Sequence, residues 1–192
     1  MRDVIELPIN DELDINGWDL QKTLRLLCNS NPTLFEWFSS PVVYIETEFA
    51  EQIREITEEY FSTKKGLYHY ISMAESNYRE YLKTDTVKAK KYFYVLRPIL
   101  ACRWIIDKGM PPPMLFSELV SAELPEYLRP EVKCLLDLKM NSPELKEIPR
   151  INVLNEYLDE SISTIRKTAG NFEDSQNSWE KLDKLFLTAL DC

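Results

Sequence analysis

Two groups of side chains in this sequence have the types and spacing that phosphate chemistry uses. Asp14 stands between Leu13 and Ile15 in a short alternating stretch. A carboxylate flanked by apolar residues on a strand is held facing one way, which suits a ligand to a hard cation; an exposed strand aspartate gives the same pattern. The second group is Lys88, Lys90, Lys91, Tyr92, Tyr94, Arg97 and Arg103. Lys90, Tyr94 and Arg97 are spaced by four and three and therefore share one helix face. A solvated face accounts for the lysines. Arg97 and Arg103 are embedded in the apolar run from Val95 to Ile106, where a guanidinium must find a carboxylate or a phosphate.

Other chemistries are poorly served. There is no GxGxxG, no Walker A and no GxSxG, and His69 is the one histidine, so a multi-histidine metal site is excluded. His69 sits in Tyr68-His69-Tyr70 at the start of a helix, where it reads as a structural or surface residue, with substrate contact as the alternative. Cys28, Cys102, Cys134 and Cys192 are widely spaced with no CxxC pair, which points to reduced thiols and a cytoplasmic protein rather than zinc or a disulfide framework. A net charge of -9 argues against broad nonspecific nucleic-acid binding but leaves room for a local basic pocket. With 44% hydrophobic and 29% charged residues the chain is too apolar for disorder. No stretch approaches the roughly 20 apolar residues of a membrane span, and no h-region follows Met1.

The elements that position these residues should be mainly helical, because four glycines against eleven prolines is the balance of a helical chain punctuated by proline. The fold class expected is α+β, predominantly helical. Val4 to Leu7 and Glu12 to Asn16 read as a hairpin around Pro8–Asp11, and a hairpin of that size needs a third strand or a helix to pack on. A helix from Trp18 to Ser30 follows, with Asp19 at its start, then a short one over Thr33 to Phe38 with Leu34, Phe35, Trp37 and Phe38 largely buried. Val42 to Tyr44 should be extended. Apolar periodicity predicts helices over Thr47–Tyr60, Lys64–Lys83, Thr86–Lys108 (kinked at Pro98, stopped at Gly109), Phe116–Ala122, Pro130–Met140, Asn152–Lys167 and Trp179–Ala189. The expected organisation is a hairpin-plus-helix region over 1–45, a helical domain over 46–168, and a polar linker with an amphipathic tail over 169–192.

Several strings are more specific than any periodicity. Leu13-Asp14-Ile15-Asn16-Gly17-Trp18-Asp19-Leu20-Gln21-Lys22, Ser30-Asn31-Pro32-Thr33-Leu34-Phe35-Glu36-Trp37, Tyr68-His69-Tyr70, Lys90-Lys91-Tyr92-Phe93-Tyr94-Val95-Leu96-Arg97-Pro98 and Cys102-Arg103-Trp104 resemble nucleotidyltransferases of the polymerase-β superfamily associated with RNA repair. The resemblance runs from about Asp3 to Leu158. It implies a mixed sheet bearing a Gly-Ser turn, an Asp-x-Asp strand and a third carboxylate, which Asp14 matches. The first two would precede Asp3, and two residues do so here, so the resemblance implies an N-terminal remnant of that sheet, without two of the three carboxylates.

The activity implied for the intact enzyme is metal-dependent transfer of a nucleoside monophosphate from an NTP, with Mg2+ or Mn2+ as cofactor. Asp14 is the implied metal ligand and catalytic residue, Lys91, Arg97 and Arg103 the implied phosphate ligands, and Tyr92 or Tyr94 the residue that packs a base or hydrogen-bonds a phosphate. The chain by itself is expected to be inactive. The alternative is a non-catalytic helical module that binds nucleotide, RNA or a protein. Partners expected are a nucleotide and an RNA or protein acceptor, no membrane, and either a second copy of the chain or a chain that carries the missing strands.

Overall fold

The computed structural model describes residues 4–7, 15–141 and 147–190. Asp14, together with Asp3, Asp11 and Cys192, lies outside the described residues. The architecture is α+β and mostly helical, with nine helices and two small two-stranded sheets among the described residues. Contacts divide it into two units, Met1–Ser62 with Ser175–Cys192, and Thr63–Asp174.

In the first unit, β1 (Val4–Glu6) pairs antiparallel with β2 (Asn16–Trp18), Ile5 opposite Gly17. The second strand runs on beyond the expected end at Asn16, with Gly17 inside the ladder; the expected residues 12–14 lie outside the described residues. Helix α1 (Leu20–Cys28) starts where Asp19 caps it: its Oδ1 accepts the Lys22 N–H at 2.7 Å. Ser30 closes the helix in the left-handed region, at φ 56°, and its buried hydroxyl accepts the Ser62 N–H at 2.7 Å. Asn31 caps α2 (Pro32–Phe38) through the Thr33 N–H, and Pro32 occupies the first turn, where a missing N–H costs nothing. Helix α3 (Glu48–Thr57) is capped by Thr47 and runs into a 3-10 turn at Glu58–Tyr60.

Leu24, Leu27, Leu34, Phe35, Ile53 and Tyr60 form the core of this unit. Helix α9 (Glu180–Leu190) completes it, with Leu182 fully buried against them. One expectation fails in this unit. Trp37 is half exposed and stacks on Trp18 at 4.0 Å between centroids, because it lies on the face of α2 turned from the core. Val42 to Tyr44 forms no strand and stays exposed.

The second unit contains α4 (Thr63–Tyr81), α5 (Lys91–Lys108), α6 (Phe116–Glu123), α7 (Arg129–Asn141) and α8 (Asn152–Ala169), with a 3-10 turn at Glu126–Leu128. Its core is built where α4 packs along α5 and α8 closes over both, burying Leu67, Ile71, Leu96, Ile99, Leu154 and Leu158. Helix α5 continues through the buried Pro98 and ends at Gly109, whose φ of 68° provides the left-handed cap. The predicted helix over Thr86–Lys108 begins too early. Thr86–Lys88 is a strand, β3, paired antiparallel with β4 (Glu147–Pro149). Val87 is buried opposite Ile148 while Thr86 and Lys88 are exposed, the alternation of a strand in a ladder. Lys88 is thereby separated from the helical cluster. No helix among the described residues is long and apolar enough to cross a membrane.

Because Leu182 enters a sealed apolar site, Leu182→Ala is expected to destabilise the protein by about 2–5 kcal/mol. Urea unfolding followed by circular dichroism measures this; a loss below about 0.5 kcal/mol, the ordinary surface range, would show that α9 does not complete the core.

Candidate functional site

The residues singled out on α5 fall into three environments. Tyr92 is fully buried. Its hydroxyl donates to Asn155 Oδ1 at 2.7 Å and accepts the Ile151 N–H at 2.8 Å, while Asn155 Nδ2 donates to the Leu82 carbonyl at 2.8 Å. The Tyr78 hydroxyl donates to the Asn155 carbonyl at 3.4 Å. This network ties the end of α4, the start of α5 and the start of α8 together. A ring enclosed in this way has no face for a base, so the role expected of Tyr92 as a stacking ring does not suit its position. Burial pushes its hydroxyl above the usual tyrosine range, with the Ile151 amide opposing the shift.

Lys91 and Tyr94 are placed differently. Lys91 Nζ lies 3.5 Å from the Tyr81 ring centroid and 4.5 Å from that of Tyr94, and Tyr94 is half exposed. An ammonium over two ring faces gains about 0.5–1 kcal/mol from each at an exposed site. The pairing also holds a positive charge at an open aromatic surface. Tyr81, from the end of α4, was not anticipated by the sequence reading; its position thirteen residues after Tyr68 on one helix carries no pattern that points across to Lys91.

The arginines find protein partners. Arg97 Nη1 donates to the Met114 carbonyl at 2.8 Å. Arg103 Nε lies 3.9 Å from Glu123 Oε2, at the outer limit of an ion pair, and the Glu123 side chain is 3% exposed. Burial, then Asp107, push the Glu123 carboxyl above the usual range; Arg103 and Lys108 oppose this. The carboxylate beside Arg103 works against a phosphate at the same guanidinium. Lys91, Tyr94 and Arg97 thus form the basic-aromatic face of α5, and Arg103 lies apart from it with an acidic neighbour.

His69 is partly buried and meets Tyr70 edge to face at 5.6 Å. Cys28 and Cys102 are buried free thiols, and Cys134 is an exposed one. Among the described residues no group of three or more His, Cys, Asp or Glu side chains is arranged to hold a metal. Asp14, the metal ligand that the resemblance implies, lies outside the described residues.

The chain was compared with known proteins. The model of RlaP, the RNA repair pathway DNA polymerase beta family, matches residues 1–188. The chain belongs to this family. A similar protein is the uncharacterized YcgL of Bacillus subtilis (strain 168), 44% identical over 193 aligned residues that take in 99% of this chain and 74% of YcgL. No solved structure matches. Family membership accounts for the long strings in Sequence analysis, whereas the two-fold pairing of Lys91 with Tyr81 and Tyr94 comes from the fold.

The network at Asn155 predicts that Tyr92→Phe costs about 1–3 kcal/mol, since the Ile151 N–H and the Asn155 Oδ1 lose a partner inside the core. The folded-state value of Tyr92 is raised, so the stability linked to its proton is fully present below the unfolded value near 10 and is lost as pH rises through the folded value. Unfolding measured on either side of pH 10 should show wild-type stability falling on the alkaline side, with a shallower fall for Tyr92→Phe; parallel curves would exclude Tyr92 as the source.

Proposed function

We propose that the helical unit binds a nucleotide or the end of an RNA strand for a metal-dependent nucleotidyltransferase reaction. The observation that carries this reading is the α5 face itself, with Lys91 between Tyr81 and Tyr94 and Arg97 one turn further on. Rings of this kind stack on bases without regard to sequence, and the flanking cations neutralise phosphate oxygens. The family's connection with RNA repair and DNA polymerase beta supports phosphoryl chemistry on a nucleic-acid end rather than on a small metabolite.

The chemistry proposed is attack by an acceptor hydroxyl on the α-phosphorus of an NTP, with transfer of the nucleoside monophosphate and departure of pyrophosphate. Lys91 and Arg97 hold the phosphates in this scheme, and Tyr94 and Tyr81 hold the base. Asp14 is proposed as the ligand to Mg2+ or Mn2+, a role that rests on the resemblance alone. Arg103 is left to its carboxylate.

Titration calorimetry of the purified chain with ATP, and separately with a short single-stranded RNA, tests the binding role. Lys91→Ala and Arg97→Ala are each expected to weaken binding about ten-fold, the worth of one charge-assisted contact of about 1.4 kcal/mol, with thermal stability within a few degrees of wild type. Wild-type affinity in both variants would refute the face. The chain by itself is expected to bind without transfer; Mg2+-dependent nucleotide transfer that disappears in Asp14→Ala would overturn that expectation.

A further inference from the structure

In a protein of net charge -9, cations of the helical unit tend to meet carboxylates. Lys83 lies 3.6 Å from Asp159, Arg166 forks onto Glu75, and Lys88 stands opposite Glu147 in the β3–β4 ladder. Lys91 and Arg150 are held differently. Lys91 rests against the rings of Tyr81 and Tyr94, and Arg150 Nε donates to the Asn152 side-chain carbonyl at 3.2 Å. Uncharged partners orient a cation without neutralising it, so both charges stay available to an anion.

The fold also fixes where these two charges stand. Arg150 is exposed, between β4 and α8, and its own N–H donates to the Asp85 carbonyl at 2.8 Å. The N–H of the next residue, Ile151, donates to the Tyr92 hydroxyl at 2.8 Å, and Lys91 directly precedes Tyr92. One buried tyrosine thus spans from the backbone beside one cation to the backbone beside the other. Burial raises the Tyr78 and Tyr92 hydroxyls, and the Arg150 charge opposes the rise at both, which sets the guanidinium at the same end of the unit. Two cations set apart on a rigid base suit a ligand whose negative charges are also set apart. A mononucleotide carries its phosphates in one cluster. A single strand repeats a phosphate at every residue and presents unpaired bases to exposed rings such as Tyr94.

We propose that Arg150 is a second phosphate subsite, and that the ligand of the α5 face is a single strand of RNA rather than a free nucleotide. One phosphate of the strand sits at Lys91 and another, further along, at Arg150. The inference rests on the reading of the α5 face as a nucleotide site. Titration calorimetry of the full chain with AMP, and with a single-stranded RNA tetranucleotide, tests it. The tetranucleotide should bind about ten-fold tighter than AMP, the worth of one further charge-assisted contact. Arg150→Ala should remove that gain, and should make the fall of log affinity with log salt shallower by about 0.7 for the tetranucleotide. Arg150→Lys, which keeps the charge, should keep the wild-type slope. Circular dichroism and melting temperature should stay as in the wild type, since the side chain is exposed. Equal affinity of the wild-type chain for the two ligands overturns the inference and leaves the α5 face a nucleotide site. An Arg150→Ala salt slope equal to that of the wild type overturns it as well. Lys91→Ala without effect on either ligand is a different failure: it removes the nucleotide reading, and this inference falls with it.

Discussion

The arrangement of the helical unit depends on one side chain, Asn155. It is buried at the start of α8, and its amide accepts from Tyr92 and donates to Leu82 while its backbone carbonyl accepts from Tyr78. An amide in a low-dielectric interior is costly unless its partners are in place, and here they come from the end of α4 and the start of α5. The positions of Tyr81 and Lys91 follow from this. Tyr81 directly precedes Leu82, and Lys91 directly precedes Tyr92, so the carbonyl and the hydroxyl that Asn155 holds are next in sequence to the ring and the ammonium that meet at the surface. A polar core contact thus sets the geometry of an exposed cation-aromatic group.

The other unit relies on a different device. Asn177 donates to the carbonyls of Cys28 at 3.0 Å and Tyr60 at 2.7 Å, and the Tyr60 hydroxyl donates to the Ser178 carbonyl at 2.9 Å. These bonds satisfy carbonyls at the ends of two helical segments, where intrahelical donors run out. Beyond them Leu182 closes the apolar core, and Lys181 pairs with Glu59 at the surface. Exposed pairs of this sort contribute little, so the closure rests on Leu182 and on the Asn177 amide.

Much of this was legible in the sequence. Helices α4, α8 and α9 appear within two residues of their apolar periodicities, and Asp19 caps as its type and place suggest. The misreadings share a cause. Short strands such as Thr86–Lys88 offer too few residues for a period of two to outweigh a strong helical pattern that begins just after them. At the site, spacing grouped Tyr92 with Tyr94, but it cannot reveal which of two tyrosines turns inward; Asn155, sixty-three residues away, decides that. The same limit hid Tyr81 and Glu123, whose relevance comes entirely from packing. Arg103 needed a carboxylate or a phosphate on sequence grounds, and the fold supplies Glu123.

The hydrogen bonds between Asn177 and Cys28 join residues 149 positions apart. A ribosome synthesises α1, α2 and α3 before the helical unit, so their apolar faces wait for α9 to be made before Leu182 can reach them. The contacts of the helical unit lie within Thr63–Asp174 and are all available earlier. Within this sequence the order of synthesis and the order of completion are therefore opposed: α1, α2 and α3 precede the helical unit and are completed after it.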